Sequence, residues 1–307
     1  MIPFEQCTLV IPAYNEASAI DGVLSDLTAL YGARLAIVVV DDGSDDDTAA
    51  VVRRRPHVRV IRHHRRFGYG AAIKTALTQV ATPYICLFDA DGQHRVEDVA
   101  RLLAVDPYMD MVIGARAWGG LDFSWRTPGK LALIALATVC LGRLIPDLNS
   151  GLRVIRRQLL QQYIPLLPDG FSASTTSTLI FFTRGYSVTN VPVRVRPRTG
   201  RSHVRPLRDG AHAMGTILRM VTLFKPVRFF SLAGGLLFIA GVIYGVDRMM
   251  QNPQFGLSVG SLLIILSGVL VFLFGLIADQ IANIRLEQLE RQHSLSCRIR
   301  VEDEVRS

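Results

Sequence analysis

The sequence predicts an α/β protein: a doubly wound, mainly parallel sheet with helices, followed near the C-terminus by a hairpin of two membrane-spanning helices. Short apolar runs rich in strand-forming residues alternate with helical patterns, and three of these runs end in polar or acidic residues. Further on, two apolar segments, about 229–247 and 256–278, each approach the ~20 residues that a helix needs to cross a bilayer.

The predicted elements follow one another along the first two thirds of the chain. Alternation at this spacing implies right-handed βαβ units, so the carboxyl ends of the parallel strands meet at one edge of the sheet. Strands are predicted at 8–12, 35–40, 58–61, 84–88, 111–113 and 187–195, and residues 147–153 are predicted as a turn that leads into a further strand. Helices are predicted at about 17–30, from the capping residues 44–47 to about 54, and at 71–80, 96–104, 158–163 and 172–182.

The most informative stretch is residues 84–93, YICLFDADGQ, in which a buried strand ends in two carboxylates one residue apart. Asp and Gly are ordinary turn residues, so an isolated Asp-x-Asp has little meaning by itself. If the extended geometry persisted, Asp89 and Asp91 would point the same way. They would then form a doubly anionic oxygen site suited to Mg²⁺ or Mn²⁺ carrying a diphosphate, and Gln93 could add a neutral oxygen.

Other nucleotide-binding motifs are missing where they would be expected. No G-x-G-x-x-G turn follows the first strand, and the chain has no Walker pattern. A G-x-G at residues 68–70 follows the third strand and is weak evidence. Carboxylates at strand ends therefore favour diphosphate binding through a metal ion over a glycine-rich phosphate loop.

Three segments between the sheet and the hairpin have unusual composition. Residues 131–141 are apolar but too short to span a bilayer, so 128–144 is predicted as a core helix or an interfacial one. The intensely basic stretch 194–205 is either a solvated loop or a mobile lid that closes over an anion. Residues 207–228 mix apolar and basic side chains, as expected of a juxtamembrane amphipathic helix.

The net charge of +8 and mean hydropathy of +0.29 favour a membrane surface over nucleic acid, because the basic residues cluster beside apolar segments. The connection between the two spans carries only Arg248, offset by Asp247. By the positive-inside rule, the domain of residues 1–206 and the tail of residues 282–307 are cytoplasmic. The basic residues that flank the outer ends of the hairpin are Lys225, Arg228, Arg285 and Arg291.

Four motifs together resemble the GT-A-fold inverting glycosyltransferases: 10–16 (VIPAYNE), 39–44 (VVDDGS), 68–72 (GYGAA) and 88–94 (FDADGQH). More narrowly, the chain resembles the dolichol-phosphate mannosyltransferase and polyprenyl-phosphate glucosyltransferase group. Three further features are similar to that group, namely DLNSGLR at 147–153, VRVRPRTGRS at 193–202 and the pair of C-terminal spans.

The resemblance implies a role for individual residues. Asp89, Asp91 and Gln93 would bind the metal. Arg116 and Arg126 would meet the acceptor phosphate, and Arg201 would lie in a closing loop, where His203 stands in place of a lysine common among relatives. The catalytic set would be Asp89, Asp91, Arg116, Arg126 and Arg201. The nucleotide sugar would be held by Pro12, Ala13, Tyr14, Glu16, Asp42, Ala90 and Asp91.

The implied activity is inverting transfer of a hexose from UDP-glucose or GDP-mannose to undecaprenyl or dolichyl phosphate, with Mg²⁺ or Mn²⁺. The enzyme would be integral to the plasma (inner) membrane and surrounded by membrane lipids, and its oligomeric state, monomer or homo-oligomer, stays open. Glucose is slightly favoured on overall similarity, although motif spacing does not encode base or sugar selectivity. Two alternatives stay open: a glycosyltransferase with a non-prenyl acceptor such as a glycan or another lipid, and a non-catalytic binding protein.

Overall fold

The predicted strands form one sheet in a computed structural model, which describes residues 1–116, 147, 150–170, 172–196, 226–251 and 258–305, with side chains to residue 288. These residues divide into two units, an N-terminal one that ends at 196 and a C-terminal one that begins at 226. The strands of the first are β1 (Cys7–Ala13), β2 (Ala36–Asp41), β3 (Val58–Arg62), β4 (Tyr84–Leu87), β5 (Met111–Arg116), β6 (Arg153–Arg156) and β7 (Val188–Val193).

Helices follow the strands as the alternation predicts, with ends that shift by one or two residues. Short 3-10 turns occur at Phe4–Gln6, Gly32–Arg34 and Ile164–Leu166. The helices of the first unit are α1 (Ala17–Tyr31), α2 (Thr48–Arg53), α3 (Tyr69–Gln79), α4 (Glu97–Leu103), α5 (Arg157–Gln162) and α6 (Ala173–Thr183).

Four adjacent strands of the seven-stranded sheet are parallel to one another. Its order is β3-β2-β1-β4-β6-β5-β7, and the first four strands in that order run the same way. Val10 of β1 pairs with Val38 of β2 on one side and with Leu87 of β4 on the other, so these strands end at one edge. Every residue of β1 is buried, as expected of a parallel strand with helices on both faces.

The exception to the parallel arrangement is β6, which pairs antiparallel with both β4 and β5. Arg153 is opposite Leu87 and Ile113, so the turn before β6 lies against the carboxyl ends of both neighbours. The sequence predicts a turn and a strand here, but not the direction of the strand. This reversal brings residues 147–152 to the edge where β4 delivers Asp89.

The core fixes α1 on the sheet. Its buried residues are spaced three or four positions apart along the helix and so form one face: Ile20, Val23, Leu24, Leu27 and Tyr31. Each large apolar side chain buried in this way stabilises the fold by about 1.5–3 kcal/mol. The Tyr31 hydroxyl donates to the carbonyl of Val96 (2.6 Å) just before α4, which ties the two helices together.

The second unit contains α7 (Pro226–Gln251) and α8 (Val259–Val305). Pro226–Gln251 and Val259–Gln288 are long and apolar enough to cross a membrane, and only 17% of the apolar window of each is buried, unlike a soluble core helix. They pack closely where glycines meet: a Cβ on Gly234 would lie 2.6 Å from the carbonyl oxygen of Gly268. Helix α8 continues past the predicted end at 278 into the predicted tail.

Candidate active site

Three loops meet at the carboxyl edge of the parallel strands, because β2, β1 and β4 are neighbours in the sheet. They follow Ala13, Asp41 and Leu87. All three carry residues that the sequence assigns to the nucleotide sugar or its metal. The shared edge predicted from the strand ends is therefore confirmed.

The first two loops are joined by hydrogen bonds. The backbone N–H of Asn15, a residue with φ of 55°, donates to Ser44 Oγ (3.0 Å), and the N–H of Asp45 donates to Asn15 Oδ1 (2.9 Å). The N–H of Glu16 donates to Thr48 Oγ1 (3.0 Å), and the N–H of Ala17 donates to Asp46 Oδ2 (3.1 Å). The backbone around the predicted nucleotide residues is thus held before any ligand arrives.

The predicted nucleotide residues of the first loop differ in exposure. Pro12 and Ala13 are buried, whereas Tyr14 and Glu16 are half-buried. The Tyr14 ring lies at the surface of the site, with the Arg66 guanidinium carbon 4.1 Å from its centroid. An aromatic face of this kind can stack with a planar group, whether guanidinium or base.

Asp42 is buried and heavily hydrogen-bonded. Its Oδ1 accepts from the N–H of Phe67 (2.9 Å) and contacts His63 Nδ1 (2.8 Å), and its Oδ2 accepts from the N–H of Gly68 (2.7 Å). The His63 ring also meets Thr75 Oγ1 at 2.9 Å. Asp42 therefore anchors the loop before α3. A contact between Asp42 and the nucleoside would use the lone pairs of its carboxylate oxygens that these hydrogen bonds leave over. That contact stays a prediction.

The G-x-G at residues 68–70 has a packing role. The N–H groups of Gly70 and Ala71, at the start of α3, both donate to the carbonyl of Asp169, at 2.7 and 3.1 Å. A Cβ on Gly70 would lie 2.0 Å from the carbonyl oxygen of Pro168, so a side chain there would displace the backbone of that turn. Since these donors are occupied, the G-x-G does not form a phosphate loop.

Asp89 follows β4 at the centre of the site. Its Oδ1 accepts a hydrogen bond from the Tyr69 hydroxyl (3.2 Å), and its Oδ2 lies 3.7 Å from His94 Nε2. A Cβ on Gly151 would sit 1.7 Å from Asp89 Oδ2, so only glycine leaves room for this carboxylate. Gly151 of the motif at 147–153 thus lies directly against Asp89, a contact that no local sequence pattern indicates.

The electrostatics of Asp89 and His94 follow from burial. Burial raises the pKa of Asp89, and the charge of Asp91 adds to that effect, while His94, Tyr69 and Arg153 oppose it. Burial also lowers the pKa of His94, although the charges of Asp89 and Asp91 oppose the change. The site thus concentrates negative charge that a bound cation would neutralise.

The extended geometry that would point Asp89 and Asp91 the same way does not persist beyond β4. Strand β4 ends at Leu87, and a turn forms at Ala90 and Asp91. The two carboxylates interact even so, because the turn keeps them on the same loop. Gln93 is half-buried; its N–H donates to Asp91 Oδ1 (3.1 Å), and its carbonyl accepts from the N–H of Arg196 (2.8 Å) at the start of the basic segment.

Arg116, at the end of β5, forms a bidentate ion pair with Asp147. Its Nε donates to Asp147 Oδ2 (2.7 Å) and its Nη2 to Asp147 Oδ1 (3.1 Å). Those hydrogen bonds raise the pKa of Arg116, and the charges of Asp89 and Asp91 act in the same direction. Asp147 is buried while Arg116 is 39% exposed at its side chain, so the cation is fixed yet reachable.

The sequence-based assignment missed the buried Arg153. Its guanidinium donates to the carbonyls of Ser150 and Ser174 and to the hydroxyls of Ser177 and Thr178. Burial lowers its pKa. Arg153 ends the motif at 147–153, but only its place in the antiparallel strand β6 buries its side chain.

The residues present fit a divalent metal ion of the kind that binds with a diphosphate. Among the residues that the structure describes, no group of three or more His, Cys, Asp or Glu side chains could hold a metal by itself. Mg²⁺ sites commonly use one or two carboxylates and complete the shell with phosphate oxygens and water. Asp89 and Asp91 match that pattern, because a cation would offset the burial and repulsion that raise the pKa of Asp89.

Several predicted features lie outside the described residues. They include Arg126, Arg201 and His203, the segment 128–144, and residues 207–225 of the predicted juxtamembrane helix. Their assigned roles remain predictions from the sequence.

Two family comparisons match separate parts of the chain. Residues 8–164 match Glycosyl transferase family 2, which covers the loops described above. Residues 225–284 match the GtrB C-terminal hairpin, which covers α7 and the apolar part of α8.

Individual relatives agree with these matches. A dolichyl-phosphate hexose transferase of Haloferax volcanii is 31% identical over 73% of this chain and 97% of its own length. An undecaprenyl-phosphate 4-deoxy-4-formamido-L-arabinose transferase of Pseudomonas savastanoi pv. phaseolicola is 27% identical over 83% and 76%, respectively. The crystal structure of Mycobacterium tuberculosis glucosyl-3-phosphoglycerate synthase with Mn²⁺, UDP and phosphoglyceric acid is similar in fold (TM-score 0.55, 22% identity, 70% of this chain, 78% of that one).

Proposed function

The chain belongs to glycosyl transferase family 2, and from this premise we propose that it transfers a hexose from a nucleotide diphosphate sugar to a polyprenyl phosphate. The observation that carries the proposal is the grouping of Asp89 and Asp91 with the Arg116–Asp147 pair, whose charges interact. Anionic ligands for a metal and a fixed cation for a phosphate are thus adjacent. The names of the two curated relatives support a polyprenyl phosphate as the acceptor.

On the donor side, Asp89 and Asp91 would hold Mg²⁺ or Mn²⁺, with Gln93 as a further oxygen ligand. The metal would supply a positive charge that stabilises the departing diphosphate. Tyr14, Asp42 and the buried backbone of Pro12 and Ala13 would bind the nucleoside. This assignment is supported by the convergence of their three loops at one edge of the sheet.

On the acceptor side, Arg116 would bind the phosphate of the lipid. A guanidinium has five N–H donors, and Asp147 accepts from two of them, which leaves three for other acceptors. Because Asp147 fixes the orientation of the side chain, little conformational entropy would be lost when a phosphate binds. Arg126 and Arg201 would add contacts from the segments outside the described residues.

The reaction requires no protein general base, since a phosphate monoester already carries an anionic oxygen near neutral pH. That oxygen would form a bond to the anomeric carbon while the bond from this carbon to the diphosphate oxygen breaks. In-line attack inverts the anomeric centre, and the nucleoside diphosphate leaves with the electron pair. The protein would contribute alignment and a preorganised positive environment.

The two apolar C-terminal helices and the match to the GtrB hairpin mark the chain as a membrane protein. We propose that the N-terminal unit and the tail are cytoplasmic, because basic residues flank the outer ends of the hairpin. Interfacial segments near 128–144 and 207–228 would bring the lipid phosphate to a water-soluble donor. A reporter fused after Ser307, compared with one inserted in the connection between the helices, would test this orientation.

The function is tested by a donor screen with the full chain in detergent, Mg²⁺ or Mn²⁺, and a short-chain polyprenyl phosphate. We expect transfer from one of UDP-glucose and GDP-mannose. Asp91→Ala should reduce kcat by about a hundredfold or more, because it removes a ligand of the charge-neutralising ion. Asp26→Ala, which removes an exposed carboxylate of α1, should leave the rate unchanged.

The outcomes separate the alternatives. Product that forms without added polyprenyl phosphate would indicate a non-prenyl acceptor such as a glycan or another lipid. Full activity of Asp91→Ala would contradict the metal assignment. Nucleotide-sugar binding without turnover of any donor would indicate a binding protein.

A further inference from the structure

Tyr69, the middle residue of the G-x-G, has a side chain that points into the site. Its hydroxyl donates to Asp89 Oδ1 at 3.2 Å and also pairs with the side chain of Ser174. A phenolic hydroxyl is protonated near neutral pH, so it acts as a hydrogen-bond donor to the carboxylate. Neither the motif analysis nor the proposed function gives this residue a role.

The second partner of the hydroxyl is itself fixed. Ser174 lies in the first turn of α6 and is buried. Its carbonyl accepts a hydrogen bond from Arg153 Nη1 (2.7 Å), and that arginine is held by four further contacts. Tyr69 thus connects Asp89 to a rigid, buried part of the unit.

The other side of Asp89 is constrained by packing. Gly151 lies so close that a Cβ would overlap Asp89 Oδ2. With Oδ1 bonded to Tyr69 and Oδ2 confined above Gly151, rotation of the carboxylate about its Cβ–Cγ bond is restricted. The direction in which its lone pairs face is therefore determined by the protein.

We propose that Tyr69 is a positioning residue for the metal, which acts by holding the Asp89 carboxylate in the orientation that a divalent ion requires. The inference rests on the proposed function, in which Asp89 is a metal ligand. Mg²⁺ demands near-octahedral geometry, so a carboxylate that rotates freely is a poorer ligand for it. Hydrogen bonds to ligating carboxylates typically change metal affinity or activity 10–100-fold.

The test uses Tyr69→Phe in the full-length protein in detergent, which removes the hydroxyl and keeps the ring. Mn²⁺ binding is measured by electron paramagnetic resonance, with UDP and GDP in parallel. We expect the Kd for Mn²⁺ to rise about tenfold. The activity of the variant should recover when the Mn²⁺ concentration is raised by the same factor, which a general folding defect would not allow.

The matched control is Tyr163→Phe, which also removes a tyrosine hydroxyl and keeps the ring. The oxygen of that hydroxyl lies 3.1 Å from Tyr186 Oη, and this pair is away from the carboxylates of the site. It should leave the Kd for Mn²⁺ unchanged. If Tyr69→Phe does not yield folded protein, Ser174→Ala decides on the same criterion, because it removes the buried partner that holds the Tyr69 hydroxyl in place beside Asp89.

The outcomes distinguish this inference from the function on which it depends. Wild-type protein that binds Mn²⁺ together with Tyr69→Phe that binds it equally well would overturn the role of Tyr69 alone. Wild-type protein that binds no Mn²⁺ with either nucleotide would overturn both. A tenfold weaker Kd in Tyr69→Phe, with Tyr163→Phe unchanged, supports both.

Discussion

At the scale of single residues, the site keeps a carboxylate in surroundings that disfavour its charge. Burial and the neighbouring Asp91 raise the pKa of Asp89, and the compensation from His94, Tyr69 and Arg153 is incomplete. A carboxylate whose pKa is raised by folding makes the metal-free protein less stable as the pH rises above the ordinary pKa of that group. Near neutral pH, the metal-free protein is therefore less stable than a variant with an uncharged side chain at position 89 would be.

This imbalance predicts that Asp89→Asn stabilises the metal-free protein while it abolishes function. In EDTA at neutral pH, we expect the free energy of unfolding of the variant to exceed that of the wild type by about 1 kcal/mol. Substitutions that remove an unfavourable charge from a functional site commonly stabilise a protein by this amount. The stabilisation by Mn²⁺ with nucleotide should disappear. Thermal melts of the wild type, Asp89→Asn and the exposed control Asp26→Asn measure both effects. A lower melting temperature for Asp89→Asn in EDTA would contradict the prediction.

At the scale of elements, α1 begins on a side chain from another loop. The N–H of Ala17 and the N–H of Thr48 both donate to the Asp46 carboxylate. Burial alone would raise the pKa of Asp46, but the hydrogen bonds from Thr48 and Ala17 outweigh it and lower the pKa. One carboxylate thus stabilises the starts of α1 and α2 together.

We expect Asp46→Ala to reduce the free energy of unfolding by about 1 kcal/mol, the usual cost of losing a helix cap. Because the pKa is lower in the folded state, this contribution is present at neutral pH and lost as the pH falls below about 4. Thermal melts at a series of pH values should show that the difference in melting temperature between the wild type and Asp46→Ala becomes smaller in acid. Asp47→Ala, whose side chain makes no capping hydrogen bond, is the control. A difference in melting temperature that does not change with pH would argue against the role of the Asp46 charge.

The hairpin offers a second comparison of elements, between two adjacent glycines of α7. A Cβ on Gly234 would lie 2.6 Å from the Gly268 carbonyl oxygen, whereas a Cβ on Gly235 would meet nothing within 4 Å. Both substitutions to alanine gain the same helix propensity of about 1 kcal/mol. Gly234→Ala should nevertheless lower the melting temperature in detergent, because the backbones of α7 and α8 must separate. Gly235→Ala should not, and equal effects would contradict the close packing of the helices.

At the scale of the whole molecule, a basic chain with two apolar helices has two ways to associate with a membrane. Electrostatic attraction to anionic lipids is largely screened at about 1 M salt, where the Debye length is near 3 Å. Burial of two spans is insensitive to salt. The wild-type protein should therefore stay in the membrane fraction through washes with high salt and alkaline carbonate. Release by salt alone would show that the basic segments, and not the hairpin, attach it.

Much of this protein follows from local sequence patterns. Apolar runs and their spacing were enough to predict the strands, the helices and the hairpin, because burial and periodicity are properties of consecutive residues. The shared edge of β1, β2 and β4 also followed, since parallel βαβ units align strand ends. The assignment of Asp42 and Asp89 to one site came instead from the resemblance of their motifs to a known family, and the shared edge agrees with it.

Only the tertiary structure decided which groups touch. The antiparallel direction of β6 brings Gly151 and Arg153 beside Asp89, although more than sixty positions separate them in sequence. The contact of Tyr69 with Asp89 and the pairing of Arg116 with Asp147 arise in the same way. Such contacts depend on which strands become neighbours, a choice made by the packing energy of the whole sheet that no local pattern encodes.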